Sequence, residues 1–254
     1  MTLPRAPSFR LDGRRALVTG AGRGIARAVA AALAEAGAEV VLAARSGAEV
    51  ETVAEAIRAR GEKAEALAID VTDTAAVARE VAARSPFQVL VNNAGTNRPA
   101  ELTALTEAHY DAITDLNVLA AIFVCKAVAK GLLEAGLPGY IINITSQIGN
   151  VGGQKRTVYC ATKHAIEGAT KALAWELGPH GIRVNTLCPT FIETPMTAGF
   201  LADPEFMQFV TSRIALGRIG QVEDVMNAAV YLASDASSLV TGSALMVDGG
   251  WTAA

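Results

Sequence analysis

Apolar residues along the chain fall into short unbroken runs separated by longer, Ala-rich stretches. The runs Arg15–Thr19, Glu39–Arg45, Leu67–Asp70, Val89–Asn92, Tyr140–Ile144, Arg183–Leu187 and Ala244–Val247 show little alternation of apolar and polar positions. Strands written this way are buried on both faces, as in a parallel sheet covered by helices. The stretches between them have helical length: Ile25–Ala36, Glu49–Arg60, Thr74–Ala83, Thr106–Ala135, Tyr159–Leu177 and Val222–Ser234. Regular alternation of strand and helix implies right-handed crossovers. The pattern therefore predicts an α/β fold: a doubly wound, seven-stranded parallel sheet with helices on both faces, in a single domain over residues 1–254. No linker, repeat, charge run or low-complexity segment divides it.

Composition narrows the function classes. With 254 residues, 51% of them hydrophobic, the chain can bury a large core. A net charge of −3 and a pI of about 5.7 leave no basic field for nucleic acid. Cys125, Cys160 and Cys188 stand in apolar or helical contexts without metal-ligand spacing, which predicts reduced thiols in a cytoplasmic protein and no metal site. No apolar run of ~18 residues is free of charges or breakers, and Met1–Arg10 lacks an apolar export segment. No membrane partner is expected.

Two local arrangements carry chemistry. The first strand enters a glycine-rich turn, Thr19-Gly20-Ala21-Gly22-Arg23-Gly24-Ile25-Ala26, and then a helix ended by Gly37 and a second parallel strand. Glycines allow a sharp turn and close approach to a ligand, and free amides at a helix start attract phosphate. In this strand, turn, helix, strand context the motif reads as a Rossmann-like dinucleotide site. The second arrangement is Tyr159 and Lys163, four apart and so adjacent on one helix face. An ordinary phenol has a pKa of ~10 and is a poor acid or base at neutral pH; a neighbouring cation favours phenolate and suits the pair to proton transfer at an oxygen.

The spacing Thr19-Gly20-x-x-x-Gly24-x-Ala26, followed in order by Asn92-Asn93-Ala94-Gly95, Asn117, Ser146, Tyr159 and Lys163, resembles the single-domain branch of the short-chain dehydrogenase/reductase family, from about Leu11 to Gly250. Two positions depart from the family pattern. Its last turn glycine is Ala26, and its Pro-Gly after the sixth strand is Pro189-Thr190, which places a side chain beside the nicotinamide. The resemblance implies a nicotinamide-dependent oxidoreductase. Tyr159 is then the general acid or base, Ser146 a hydrogen-bond partner of the substrate oxygen, Lys163 a cation lowering the Tyr159 pKa and binding ribose, and Asn117 the anchor of a proton-carrying water.

For the cofactor, the resemblance implies contacts at Gly20, Arg23, Gly24, Ile25, Arg45, Tyr159 and Lys163. It adds Asp70 and Val71 at the adenine, Asn92, Ala94 and Gly95 beside the ribose, and Ile192 and Thr194 at the carboxamide. The alternatives are an Asp70 that simply opens the next turn and a plain loop at Ile192–Thr194. Where enzymes preferring the unphosphorylated cofactor carry an acidic residue, this chain has Ala44, followed by Arg45, with Arg23 in the turn. Arg meets phosphate bidentately, so NADP(H) is favoured and NAD(H) stays open. Thr194–Ala215, rich in Met and Phe, resembles the family's substrate lid, though its apolar residues equally suit packing.

A small molecule is the expected substrate: a ketone, a sugar or polyol, or a steroid-like alcohol. An acyl-carrier-protein reductase is the alternative, weakened because Leu137 and Trp175 occupy the positions where basic residues would receive an acidic carrier. A sensing protein that binds nucleotide without chemistry would be expected to lose Tyr159 or Lys163. A surplus of apolar residues on Thr106–Ala135 and Tyr159–Leu177, helices that pair in the family, implies a homotetramer or a dimer.

Overall fold

The computed structural model describes residues 2–84 and 86–253. Seven strands form one parallel sheet: β1 (Arg15–Thr19), β2 (Glu39–Ala44), β3 (Ala64–Ala68), β4 (Val89–Asn92), β5 (Gly139–Ile144), β6 (Ile182–Pro189) and β7 (Ala244–Val247). Their spatial order is β3-β2-β1-β4-β5-β6-β7. The helices are α1 (Gly24–Glu35), α2 (Gly47–Arg58), α3 (Thr74–Ala82), α4 (Glu107–Thr114), α5 (Ala121–Ala135), α6 (Thr157–Leu177), α7 (Ala198–Leu201), α8 (Pro204–Arg213) and α9 (Val222–Ala233).

Strands that do not alternate in sequence still alternate in space. Ala16, Val18, Val40, Leu42, Val89 and Val91 join one core with α1, α2 and α9. Leu17, Val41, Leu90 and Ile141, pointing the other way, join a second core with α3, α5 and α6. Both faces are apolar because both are covered. Strand order reverses between β1 and β4, and a crevice opens at the carboxyl ends of the strands there, as in other doubly wound sheets.

Three elements differ from the sequence pattern. β3 lies at Ala64–Ala68, not Leu67–Asp70: Ala64 to Ala68 pair with Val40 to Ala44, and Asp70 already accepts hydrogen bonds from Thr72 in a turn. Being an edge strand, β3 tolerates Ala and Glu, and Glu65 pairs with Arg15 and Arg84. α2 starts before Glu49 because Ser46 caps it, its Oγ accepting the Glu49 amide at 3.3 Å. The stretch Thr106–Ala135 is α4, a π-helical segment over Asp115–Ala120, and α5. By length and composition Glu107–Ala135 could cross a membrane, its most apolar window averaging a hydropathy of 1.8, although charges interrupt it as the sequence pattern expected. It packs instead on α3, β4 and β5.

Candidate active site

The turn after β1 is shaped to receive a ligand. Gly20 has φ +68°, and a Cβ there would meet Asn93 Nδ2 at 3.0 Å and the Ala94 Cα at 3.2 Å. Thr19 Oγ1 accepts the amides of Asn93 and Ala94, tying β1 to the turn after β4. α2, α3, α4 and α8 have side-chain caps from Ser46, Asp73, Thr106 and Asp203, whereas Arg23 makes no cap bond at α1 and no acidic residue stands in its first turn. The first amides of α1 are left for an anion, which fits a dinucleotide pyrophosphate.

A cleft of about 640 Å³ opens before this turn. Of the sequence-predicted cofactor residues, Gly20, Arg23, Gly24, Ile25, Arg45, Asp70, Val71, Ala94, Gly95, Tyr159, Lys163 and Thr194 line it. Asn92 and Ile192 do not. Asn92 closes β4 with its side chain turned into the helix layer, where Nδ2 donates to the Ala121 carbonyl at 2.8 Å; the cleft meets Asn93, the next residue and so the opposite side of the strand. The Ile192 side chain is buried in the core with the α9 residues, and its carbonyl accepts the Thr197 hydroxyl at 2.6 Å. Met196 of the expected lid segment also lines the cleft, as do Ser46, Glu49, Thr96 and Leu116, which were not legible as site residues.

At the adenosine end stand Ala44, Arg45 and Arg23, both arginines exposed. The Thr72 amide and hydroxyl hold the Asp70 carboxyl below its usual range, with a smaller contribution from Arg45. Glu49 approaches the same turn: a Cβ on Gly22 would lie 2.7 Å from its Oε2.

At the other end the phenol of Tyr159, in the first turn of α6, is pushed up to about 12 by burial, and Arg156 and the Ser146 hydroxyl pull it back. Lys163, the cation expected to favour phenolate, stands with its Nζ 5.5 Å from the Tyr159 ring centre and donating to the Ile144 carbonyl at 3.0 Å; burial brings its pKa down to about 8. The charged neighbour that lowers the phenol's pKa is Arg156, the N-cap residue of α6, three positions before Tyr159. Below Lys163, buried Glu167 accepts from the hydroxyls of Thr145 and Thr186, pinning α6 to β5 and β6. The spacing 159, 163, 167 is the sequence signal for this third residue.

Ser146 caps the turn after β5 and donates to Gln147 Oε1 at 2.7 Å. Asn117, 3% exposed, lies in the π-helical segment. Its Oδ1 accepts the Thr96 amide and its Nδ2 donates to the Thr96 carbonyl and to Thr162 Oγ1. Both N–H groups and one lone pair of the side chain thus hold the loop after β4 to α6, in a π-helical segment of the kind that recurs at functional sites.

Beyond Tyr159 a smaller pocket of about 80 Å³ is lined by Asn97, Ser146, Gln147, Arg156, Thr190, Phe191 and Phe200, among others. Tyr159 and Met196 border both this pocket and the large cleft. Phe191 of this pocket packs against Phe206 and Trp251, and both of these rings pack in turn against Phe209.

A family model described as "Enoyl-(Acyl carrier protein) reductase" matches residues 20–252. D-erythrulose reductase of Gallus gallus is 41% identical over 96% of this chain and 98% of its own length, and gluconate 5-dehydrogenase of Gluconobacter oxydans is 42% identical over 96% of each. The crystal structure of a gluconate 5-dehydrogenase from Burkholderia cenocepacia in complex with NADP and tartrate superposes with a TM-score of 0.94, at 38% identity, covering 97% of this chain and 98% of that one. The chain is a short-chain dehydrogenase/reductase. As a short-chain dehydrogenase/reductase it is an NAD(P)-dependent oxidoreductase, and the cleft before α1 is where this chain would hold the dinucleotide.

Proposed function

We propose that this enzyme interconverts a secondary alcohol and a ketone on a sugar or polyol, using NADP(H). One observation carries the chemistry: Tyr159, a proton-bearing side chain, borders both the dinucleotide cleft and the smaller pocket. The bound nicotinamide supplies or accepts hydride. Tyr159 delivers a proton to the substrate oxygen, or removes it in the reverse direction. Ser146 holds that oxygen, exchanging its bond to Gln147 for one to substrate. Lys163, brought close by the same helix face, binds the nicotinamide ribose, and the backbone near Asn117 receives the water that passes protons onward. The sugar or polyol assignment is supported by the hydrogen-bonding side chains of Asn97, Ser146, Gln147 and Thr190 set among the apolar walls of the small pocket, and by the names of the relatives. The segment 194–215, carrying α7 and α8, acts as the lid over it.

The phosphorylated cofactor is favoured because Arg23 and Arg45 flank Ala44, which offers no carboxylate to ribose hydroxyls, and because a similar structure holds NADP. A panel of sugars, polyols, small ketones and steroid alcohols with each cofactor, followed at the absorbance of reduced nicotinamide, tests the reading. Turnover of C4–C6 polyols or ketoses with NADP(H) is the expected result. Turnover confined to acyl thioesters would favour the carrier-protein alternative and sink this one.

The assembly we propose is a homotetramer, or a dimer, working in the cytoplasm. Leu119, Ile122 and Phe123 on the α5 side and Trp175 on α6 lie on the surface, Trp175 at 88% exposure, and a surplus apolar face of this kind suits burial between copies. Light scattering at micromolar concentration is expected to give a multiple of the 26.3 kDa chain mass. A mass equal to one chain would refute the assembly.

A further inference from the structure

Arg156 is the one charged side chain lining the pocket beyond Tyr159. Among the described residues no Asp or Glu lines that pocket, and the groups acting on the guanidinium are Tyr159 and Cys160, with no carboxylate. Burial pushes its pKa down, a sign that the charge is desolvated without compensation. Its guanidinium lies over the Phe200 ring, with Cζ 5.3 Å from the ring centre, which restrains it but does not neutralise it.

Its position is built into the backbone. Lys155, just before it, has φ +58°, the left-handed conformation that a non-glycine residue rarely adopts. The Lys155 carbonyl accepts the Ala100 amide at 3.0 Å, and Lys155 Nζ meets Glu101 Oε1 at 3.0 Å. These contacts bind the start of α6 to the loop carrying Asn97. Asn97 Oδ1 and Thr190 Oγ1 are both buried without a hydrogen-bond partner, and both residues line the same pocket as Arg156. An amide oxygen accepts and cannot be satisfied by a carboxylate; it needs a donor such as a hydroxyl. Thr190 Oγ1 is able to donate or accept. A guanidinium without a counter-ion, beside two orphaned groups that suit hydroxyls, describes a ligand with both an anionic end and hydroxyl groups.

We propose that the substrate is a polyhydroxylated carboxylate, an aldonic acid or its keto form, whose carboxylate is received by Arg156 while its hydroxyls meet Asn97 and Thr190. This deepens the function proposed above and rests on it. A neutral sugar or polyol would leave the guanidinium desolvated and unpaired. A carboxylate meets the planar guanidinium with two parallel hydrogen bonds.

The test compares C4–C6 aldonates with alditols of the same configuration, and with the corresponding alditol phosphates, by kcat/KM with NADP+. A charge-assisted hydrogen bond is worth on the order of tenfold to a hundredfold in affinity, so the best aldonate should exceed its alditol by at least about tenfold. In Arg156→Gln the aldonate-to-alditol ratio is expected to fall at least about tenfold, and in Arg156→Lys by less. The ratio is the necessary readout, because losing the cation beside Tyr159 slows both substrates together. Wild-type turnover of alditols equal to or better than aldonates, a preference for the phosphates, or a ratio unchanged in a folded Arg156→Gln protein would each overturn the proposal. Those outcomes leave the alcohol-oxidising reading standing. Failure of every C4–C6 substrate in the wild type would overturn both, and the wild-type comparison decides even if the variant does not fold.

Discussion

Tyr159→Phe is expected to lower kcat by about 10²–10⁴-fold while cofactor affinity changes by less than about threefold, since general acid–base catalysis is typically worth that much. The phenol borders both the large cleft and the smaller pocket, and in the proposed function its hydroxyl exchanges a proton with substrate. Phe keeps the ring beside Lys163 and nearly the same volume, so the loss isolates the hydroxyl. The pH dependence follows from the same burial. With the phenol at about 12, its protonated form, needed for reduction, is present throughout the neutral range. The phenolate, needed for oxidation, is scarce there and increases about tenfold per pH unit below the pKa. Oxidation should therefore accelerate with pH across the alkaline range where reduction stays flat. Titration of kcat/KM in both directions checks this. A Phe variant keeping more than about a tenth of wild-type turnover would remove Tyr159 from the proton-transfer role.

The second large effect is on cofactor choice. In the double variant Ala44→Asp, Arg45→Gln the ratio of kcat/KM for the phosphorylated over the unphosphorylated cofactor is expected to fall at least about tenfold. One lost charge-assisted hydrogen bond, at ~1.5–3 kcal/mol, already supplies that much. The new carboxylate adds repulsion toward a 2′-phosphate and an acceptor for free ribose hydroxyls. Arg23 remains in the variant, and Glu49 lies close to Gly22 in the same cleft, so the switch is a shift of balance between existing charges. Both ratios are measured by initial rates at limiting cofactor. A wild type that already prefers the unphosphorylated cofactor would show both arginines to be solvated bystanders.

How much of this was legible without coordinates depends on the range of each interaction. The order of strands and helices, the sheet buried on both faces, the glycine turn and the pairing of Tyr159 with Lys163 could all be read from the chain, because each is encoded by neighbours within one or two turns of backbone. The edge strand β3 was misplaced because its pairing with β2, rather than its own apolarity, selects Ala64–Ala68. Asn92 and Asn93 could not be told apart, since which of two successive residues faces the cleft depends on how β4 is covered.

What only the tertiary structure decided concerns electrostatics and the substrate end of the site. Lys163 sits at the expected place on α6 with one of its donors on the Ile144 carbonyl, and burial sets both its pKa and that of Tyr159. Asn97, Arg156 and Thr190 are scattered through the sequence and meet because β4, β5 and β6 are neighbours in the sheet, so the loops that follow those strands converge at their carboxyl ends. Local pattern specifies which elements form, because backbone periodicity is a short-range property. Burial, and the company each charge keeps, depend on contacts between segments distant along the chain, which exist only once the sheet has assembled.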